Sequence, residues 1–463
     1  MRKIETPEEK YRTMTEQPIP KLISRLAVPT IISMMITSFY NMADTFFVSQ
    51  IGTSATGAVG ISFSLMALIQ AFGFFCGHGS GNFISRKLGQ QRFEEAEQMA
   101  STGFFAALGL GTLIMIFGLL FLDPLCRILG ATPTILPYAR QYLSWILIGA
   151  PYMTASLVLN NQLRFQGSAF YAMIGITSGG VLNMILDPLF IFVFDMGVAG
   201  AAIATILSQF VGFLLLLKGT TQGGNLRIRL RNVRFNRHYV FQIVNGGMPS
   251  LCRQGLGSVA TICLNLMAGP YGDAAIAAMS VVSRVMNLAT SVVTGFGQGF
   301  QPVCGFNYGA FLYDRVKAGF WFCVKVATGV LLVLAVLGFV LAPQVIQLFS
   351  KTDPQVLDIG VRALRYQCVT FPLVGWITLC NMMLQTIGKS VRASIMAMSR
   401  QGLFFIPAVL ILPLLLGITG LMLAQPISDL LSFLIAIPLE GSVLQEMTRK
   451  QKEAKRQAAV AQA

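Results

Sequence analysis

Long apolar runs alternate with short polar connections along the chain, and twelve runs are long enough to cross a bilayer as helices. They fall near residues 22–43, 56–78, 97–121, 135–157, 168–193, 198–217, 239–268, 275–301, 319–341, 357–384, 394–416 and 419–439. A hydrocarbon core about 30 Å thick requires about 20 apolar residues at helical rise. The pattern then repeats itself after 220 residues: Pro29 answers Pro249, Gly52 answers Gly272, Gly79 answers Gly299, Gly89 answers Gly309, and Gly197 and Gly200 answer Gly417 and Gly420. Six spans per copy is an even number, so the copies should point the same way and be related by an axis along the membrane normal. The expected fold is an all-α integral membrane protein, twelve transmembrane helices in two six-helix bundles facing each other across a central path. Its expected boundaries are an arm over 1–17, a first bundle over 18–217, a basic linker over 218–238, a second bundle over 239–440 and a basic tail over 441–463.

Composition agrees with that reading. Of 463 residues, 54% are hydrophobic and 11% charged, too few charges to cover a soluble surface. A net charge of +15 raises the question of nucleic acid, and its distribution answers it. The arm carries Arg2, Lys3, Lys10, Arg12, Lys21 and Arg25. The linker carries Lys218, Arg227, Arg229, Arg231, Arg234 and Arg237, and the tail Arg449, Lys450, Lys452, Lys455 and Arg456. Connections on the same side add Arg86, Lys87, Arg92, Arg164, Arg315, Lys317, Lys389, Arg392 and Arg400, against Arg127 and Lys351 opposite. This bias places both termini in the cytoplasm of a cell inner membrane, with anionic lipids rather than nucleic acid as partners. The linker run LRIRLRNVRF reads either as an interfacial strand or helix on headgroups or as a charged tether. No cleavable leader pattern opens the chain, so the first span is expected to be retained. The eight cysteines form no CxxC pair and read as reduced packing residues.

Within the spans, Pro29 and Pro249 sit in the first helix of each half and Pro151 and Pro372 in the fourth, where each removes a backbone donor and can kink the helix. Their recurrence in both halves suggests a shared mechanical role. Acids inside a bilayer are costly unless paired, protonated or facing a wet cavity. Asp187 lies in GGVLNMILDPLFIF with Asn183 one turn earlier on the same face and Pro188 after it, and Asp44 stands at the outer end of the first span. These suit an ion or proton site; the plainer reading makes Asp187 a satisfied buried acid and Asp44 a surface residue. Thr205 either supplies an oxygen to Asp187 or bonds its own helix. Asn160 and Gln162 end the fourth span, Arg253 and Arg284 either pair with acids, snorkel or line the cavity, and Asp429 is an alternative proton-binding acid. The position 220 after Asp44 is Leu264, so coupling carboxylates are expected in the first half alone. Methionines including Met173, Met279 and Met286, with Phe39, Tyr40, Tyr138 and Tyr152, could line an adaptable pocket for bulky aromatic cations or simply pack between helices.

Five stretches together carry a resemblance: LAVPTIISMMITSFYNMADTFFVSQIG, GHGSGNFISRKLGQQR, RFQGSAFYAM, GGVLNMILDPLFIF followed by MGVAGAAIAT, and GFGQGFQPVCGFNYGA. Over about residues 18–440 the chain resembles the multidrug and toxic compound extrusion (MATE) family, in the prokaryotic branch of the DNA-damage-inducible protein F and the multidrug exporter MepA. The resemblance implies two six-helix lobes around a V-shaped cavity and export of organic cationic drugs or dyes against H+ or Na+ by alternating access. It places the cation site on Asp44, Asn183, Asp187 and Thr205 and Asn160 in the cavity beside it. Carboxylates that other branches carry in the seventh and tenth spans have no counterpart here. No cofactor beyond the coupling ion is expected, and the chain is expected to act as a monomer. A flippase for lipid-linked precursors would need a cationic cavity, for which Arg253 and Arg284 are the obvious candidates. A membrane-embedded enzyme would need a catalytic cluster, yet the chain has no HExxH and just two histidines, His78 and His238.

Overall fold

The protein is seen as a computed structural model that describes residues 6–349 and 353–462; Arg2, Lys3 and Lys351 lie outside the described residues, as do the side chains of Lys455 and Arg456. The first half comprises α1 (Pro7–Glu16), α2 (Ile19–Ser49), α3 (Thr53–Gly89), α4 (Phe93–Leu120), α5 (Leu122–Ile128), α6 (Leu136–Phe165), α7 (Ala169–Pro188) and α8 (Gly197–Gly219). The second comprises α9 (Arg237–Ala268), α10 (Asp273–Gly309), α11 (Tyr313–Val340), α12 (Ala342–Phe349), α13 (Pro354–Thr386), α14 (Ser390–Met398), α15 (Phe405–Leu416) and α16 (Ile418–Gln462). Both α7 and α14 run on into a π-helical turn, Leu189–Val193 and Ser399–Leu403.

Among the described residues, eleven helices are long and apolar enough to span a membrane, one fewer than the hydropathy pattern suggested. The difference is α9, a helix of 32 residues whose middle carries Arg253 and Gln254 and whose start is polar. Helices also overrun their expected ends. Asp44, expected just beyond the first span, lies inside α2 and is 7% exposed, because α2 continues for another turn to Ser49. Arg400, counted above with the connecting loops, sits in the π turn of Ser399–Leu403, and Arg164 is buried at the end of α6. Pro29, Pro151, Pro249 and Pro372 are all interior to continuous helices.

The halves meet where glycine removes the side chain. A Cβ on Gly89 of α3 would run into the Phe306 carbonyl of α10, and a Cβ on Gly309 of α10 into the Arg86 carbonyl of α3. Each partner is 220 residues from its counterpart, so the contact is reciprocal about a pseudo-twofold axis. Gly79 against Ile243, Gly247 against Phe75 and Gly299 against Ala27 continue the seam. All these approaches lie toward the ends of α2, α3, α9 and α10 nearest the linker, whereas Gly52 and Gly272 at the opposite ends meet nothing within 4 Å.

The arm straps this closed end. α1 starts in a capping box, in which Thr6 Oγ1 accepts from Glu9 N and Glu9 Oε2 accepts from Thr6 N. Buried Lys10 donates to Ser168 Oγ at 2.8 Å and Asn225 Oδ1 at 2.5 Å, while Asn307 Nδ2 of α10 donates to Met14 O at 3.0 Å and Arg315 to Gln17 O at 2.6 Å. The arm thus holds both halves at once. Lys10→Met is expected to lower unfolding stability by about 2 kcal/mol, the loss of charge-assisted bonds whose acceptors stay buried; a denaturant midpoint equal to wild type in detergent would refute that role. The linker is neither a strand nor a free tether. It runs along α4 with Arg229 N and Arg234 N donating to Ser101 Oγ at 3.1 Å and Thr102 Oγ1 at 2.9 Å, broken by one 3-10 turn over Leu230–Asn232.

Candidate functional site

Three of the four expected coupling residues sit on α7 and α8, which cross closely through Gly175, Gly179 and Gly212. The Asn183 amide donates to Asp187 Oδ1 at 3.1 Å, from one helical turn away, and reaches Thr205 Oγ1 at 3.4 Å. Thr205 Oγ1 meanwhile donates to Ala201 O at 3.0 Å, so it bonds its own helix while its oxygen is turned to Asn183. Asp44 comes in from α2, within electrostatic reach of Asp187. Asp187 is 0% exposed and Asn183 3%. Four oxygens in this cluster, Asp44 Oδ1, Asp187 Oδ2, Asn183 Oδ1 and the Tyr142 hydroxyl, are buried without a hydrogen-bond partner among the described residues. Two carboxyls close together and short of donors fit a proton or a small hard cation such as Na+, which takes oxygen ligands. Pro188, followed by the π turn, loosens the backbone beside them.

Tyr142 was not singled out by the sequence, where it reads as one aromatic in an apolar run. Its signal is chemical: a fully buried tyrosine needs a partner for its hydroxyl, and here the hydroxyl lies beside Thr205 and within electrostatic reach of Asp44 and Asp187.

A cavity of about 250 Å³ adjoins this cluster. Thioethers of Met34, Met66, Met153 and Met173 and the rings of Tyr40 and Phe74 line it, with Asn160 on its wall. It follows α2 from Thr30 to Tyr40, about 15 Å at helical rise. Tyr40 lies within electrostatic reach of Asp44 and so joins cavity to acids. At the other end stands Arg164, which donates to Gln298 Oε1 of α10 at 2.7 Å and to Asn161 Oδ1 at 2.6 Å and lies 3.4 Å from His78 Nε2. His78 Nδ1 is 3.0 Å from Ser250 Oγ of α9, which also accepts from Gln385 at 2.8 Å. This buried network crosses from one half of the chain to the other and floors the cavity.

The other expected cavity residues are dispersed. Met279 and Met286 border a second, polar cavity of about 380 Å³ in the second half, with Gln254, Gln367, Arg400 and Gln425. Phe39 and Tyr138 are exposed, and Tyr152 packs on Phe210 with its hydroxyl donating to Ile206 O at 2.8 Å. Arg253 donates to Asn381 Oδ1 at 3.2 Å and Arg284 is exposed; neither is on the wall of either cavity. The cationic cavity that a diphosphate carrier would need is therefore not built from these two arginines. Asp429, the alternative proton-binding acid, is ion-paired with Arg400 at 2.7 Å and accepts from Gln425 at 2.8 Å. Among the described residues, no group of three or more His, Cys, Asp and Glu side chains is placed to hold a metal ion.

Known proteins fit this geometry along nearly their whole length. The chain is similar to the multidrug export protein MepA of Staphylococcus aureus (strain MSSA476), 26% identical over 436 residues, covering 93% of this chain and 95% of that protein. It is 27% identical over 443 residues to MepA of Staphylococcus haemolyticus (strain JCSC1435), covering 94% and 97%. A solved outward-facing conformation of a multidrug resistance MATE family transporter of the MOP superfamily superposes with a TM-score of 0.89 at 27% identity, covering 95% of this chain and 99% of that one. The MatE family profile matches residues 29–189 and again 249–411, starting at Pro29 and at Pro249, 220 residues apart. By these two matches, which span most of the sequence in the register of its own repeat, the chain belongs to the MatE family.

Proposed function

We propose that this protein is a secondary active multidrug antiporter that exports organic cations in exchange for H+ or Na+ by alternating access. The observation that carries the reading is the juxtaposition of unpartnered carboxyl oxygens at Asp44 and Asp187 with a thioether and aromatic cavity through Tyr40. Methionine adapts to many shapes and aromatic faces attract cations, so the cavity suits bulky cationic dyes without selecting one. A coupling ion on Asp44 and Asp187, held also by Asn183 and Thr205, cancels the negative charge that favours the drug, so ion and drug bind at each other's expense.

The architecture that serves this cycle counts α9 as a span, giving twelve transmembrane helices in two six-helix lobes over 18–217 and 239–440. The arm, linker and basic tail then lie in the cytoplasm against anionic lipids of a cell inner membrane. On that orientation the closed glycine seam faces inward and the structure is outward-facing. Pro29, Pro151, Pro249 and Pro372 are the points about which a monomer would rock.

The reading is tested by ethidium efflux from proteoliposomes under an imposed pH or Na+ gradient. Efflux that follows one gradient and not the other names the ion, and efflux that follows neither overturns the antiport reading. A further expectation concerns cavity size: Met153→Trp should raise the half-saturating concentration of ethidium about tenfold by filling space, and that of tetramethylammonium far less. Equal effects on both would mean that Met153 does not border the drug path.

A further inference from the structure

We propose that Glu440 is a proton-binding site in the second half of the chain, taking up and releasing H+ as the seam between α3 and α10 closes and opens. The inference deepens the antiport reading and rests on it for the alternation of the two halves.

Glu440 lies in α16, one residue beyond the last apolar run, and is 0% exposed. Neither Oε1 nor Oε2 has a hydrogen-bond partner among the described residues, and no ion pair reaches it there. The titratable and charged groups within electrostatic reach of it are the Cys304 thiol from α10, the Cys380 thiol from α13 and the Arg392 guanidinium from α14. Arg392 is already committed, donating to Ser442 Oγ at 2.9 Å. An enclosed carboxylate with no donor is strongly disfavoured, and a proton on one oxygen removes the charge.

Position links this group to the conformational change. Cys304 is followed by Gly305, where a Cβ would collide with Ser85 of α3 and just touch Thr386 of α13. Arg86 of α3 donates to the carbonyl of that same Thr386 at 2.5 Å. Cys304, within electrostatic reach of Glu440, is therefore next to the residue of α10 on which α3 closes. Parting the seam frees that part of α10 to move and admits water toward the carboxyl; closing it shuts water out. Paired with the Asp44 and Asp187 cluster near the opposite ends of the helices, this gives each half of the chain its own protonatable group.

Infrared difference spectra between acidic and alkaline pH, taken on the full-length protein in lipid vesicles, read protonated carboxyls directly. The wild type should show a titrating carboxylic acid band whose Glu440 share disappears in Glu440→Gln and survives in Asp187→Asn. Glu440→Asp, which keeps the acid and shortens its reach, should retain that share at a shifted frequency. Gly309→Ala, which props the seam open, should move its midpoint by at least about one pH unit. Spectra of Glu440→Gln that superpose on the wild type, or a midpoint unmoved in Gly309→Ala, would overturn the proposal. Ethidium efflux in the same vesicles is scored separately: its absence from the wild type overturns the antiport reading, while the infrared titration still decides whether Glu440 binds a proton.

Discussion

Asp187→Asn is expected to abolish gradient-driven efflux while leaving the protein folded. Asparagine keeps the size of the side chain and an oxygen for the Asn183 amide, which lies 3.1 Å from Asp187 Oδ1. What it loses is the charge and the second oxygen, Oδ2, which has no partner in the fold and is therefore free for an ion. Because the mutation spares packing but removes a negative charge, drug binding should persist at the weaker affinity of the ion-loaded state and its dependence on the ion should vanish. Coupling between two ligands on one protein is typically worth about 1–3 kcal/mol, or about 5- to 150-fold in affinity. The pH or Na+ dependence of ethidium binding should shrink by that factor. Asp44→Asn should act similarly, and the double variant should add little, since neighbours in one cluster are not independent. Thr205→Val should cost only several-fold, its hydroxyl being already engaged by Ala201 O. Binding whose ion dependence matches wild type in Asp187→Asn would move the coupling site elsewhere.

Much of this was legible in the sequence because it follows from cost. A carboxylate in an apolar run must have a reason to be there, which pointed to Asp187, and spacing of four put Asn183 beside it. The repeat was visible because glycines at helix crossings tolerate no substitute, and the reciprocal contact of Gly89 and Gly309 explains why both copies keep them. Other features were hidden by the same logic. Glu440 begins the charged continuation of α16, so by sequence it belongs to a solvated tail; the packing of α16 on α13 and its neighbours leaves it buried instead. Arg400 looked like a loop charge because its neighbours Ser399, Gln401 and Gly402 are polar or small, whereas its true partner, Asp429, is on α16, 29 residues away. Arg164, seen first as another basic loop residue, floors the cavity, where Gln298 and Asn161 accept from its two terminal nitrogens. The structure thus finds what sequence spacing within one helix cannot express, namely pairs made between helices.

The same reciprocal contact yields the second large effect, a shift in the conformational equilibrium from Gly309→Ala. In the closed seam the new methyl meets the Arg86 backbone carbonyl, which cannot swing aside as a side chain would. Overpacking of this kind costs typically about 1–3 kcal/mol, and the whole cost falls on the state in which α3 and α10 touch. At about 1.4 kcal/mol per factor of ten, the seam-open population should rise about 5- to 150-fold. Native cysteines report the change without added labels: Cys304 is 0% exposed and neighbours the seam, so its alkylation by N-ethylmaleimide, read by mass spectrometry, should accelerate by the same factor. Gly255→Ala is the control, a helical glycine at which a Cβ meets nothing within 4 Å, and its alkylation rate should stay at the wild-type value. Efflux should fall in Gly309→Ala, because a carrier that cannot close toward the linker side leaks its gradient or stalls in one state. A Cys304 rate unchanged by Gly309→Ala would mean that the seam is not the moving contact, and that the halves part by bending within α2 and α9, where Pro29 and Pro249 sit, rather than by separating along the glycines.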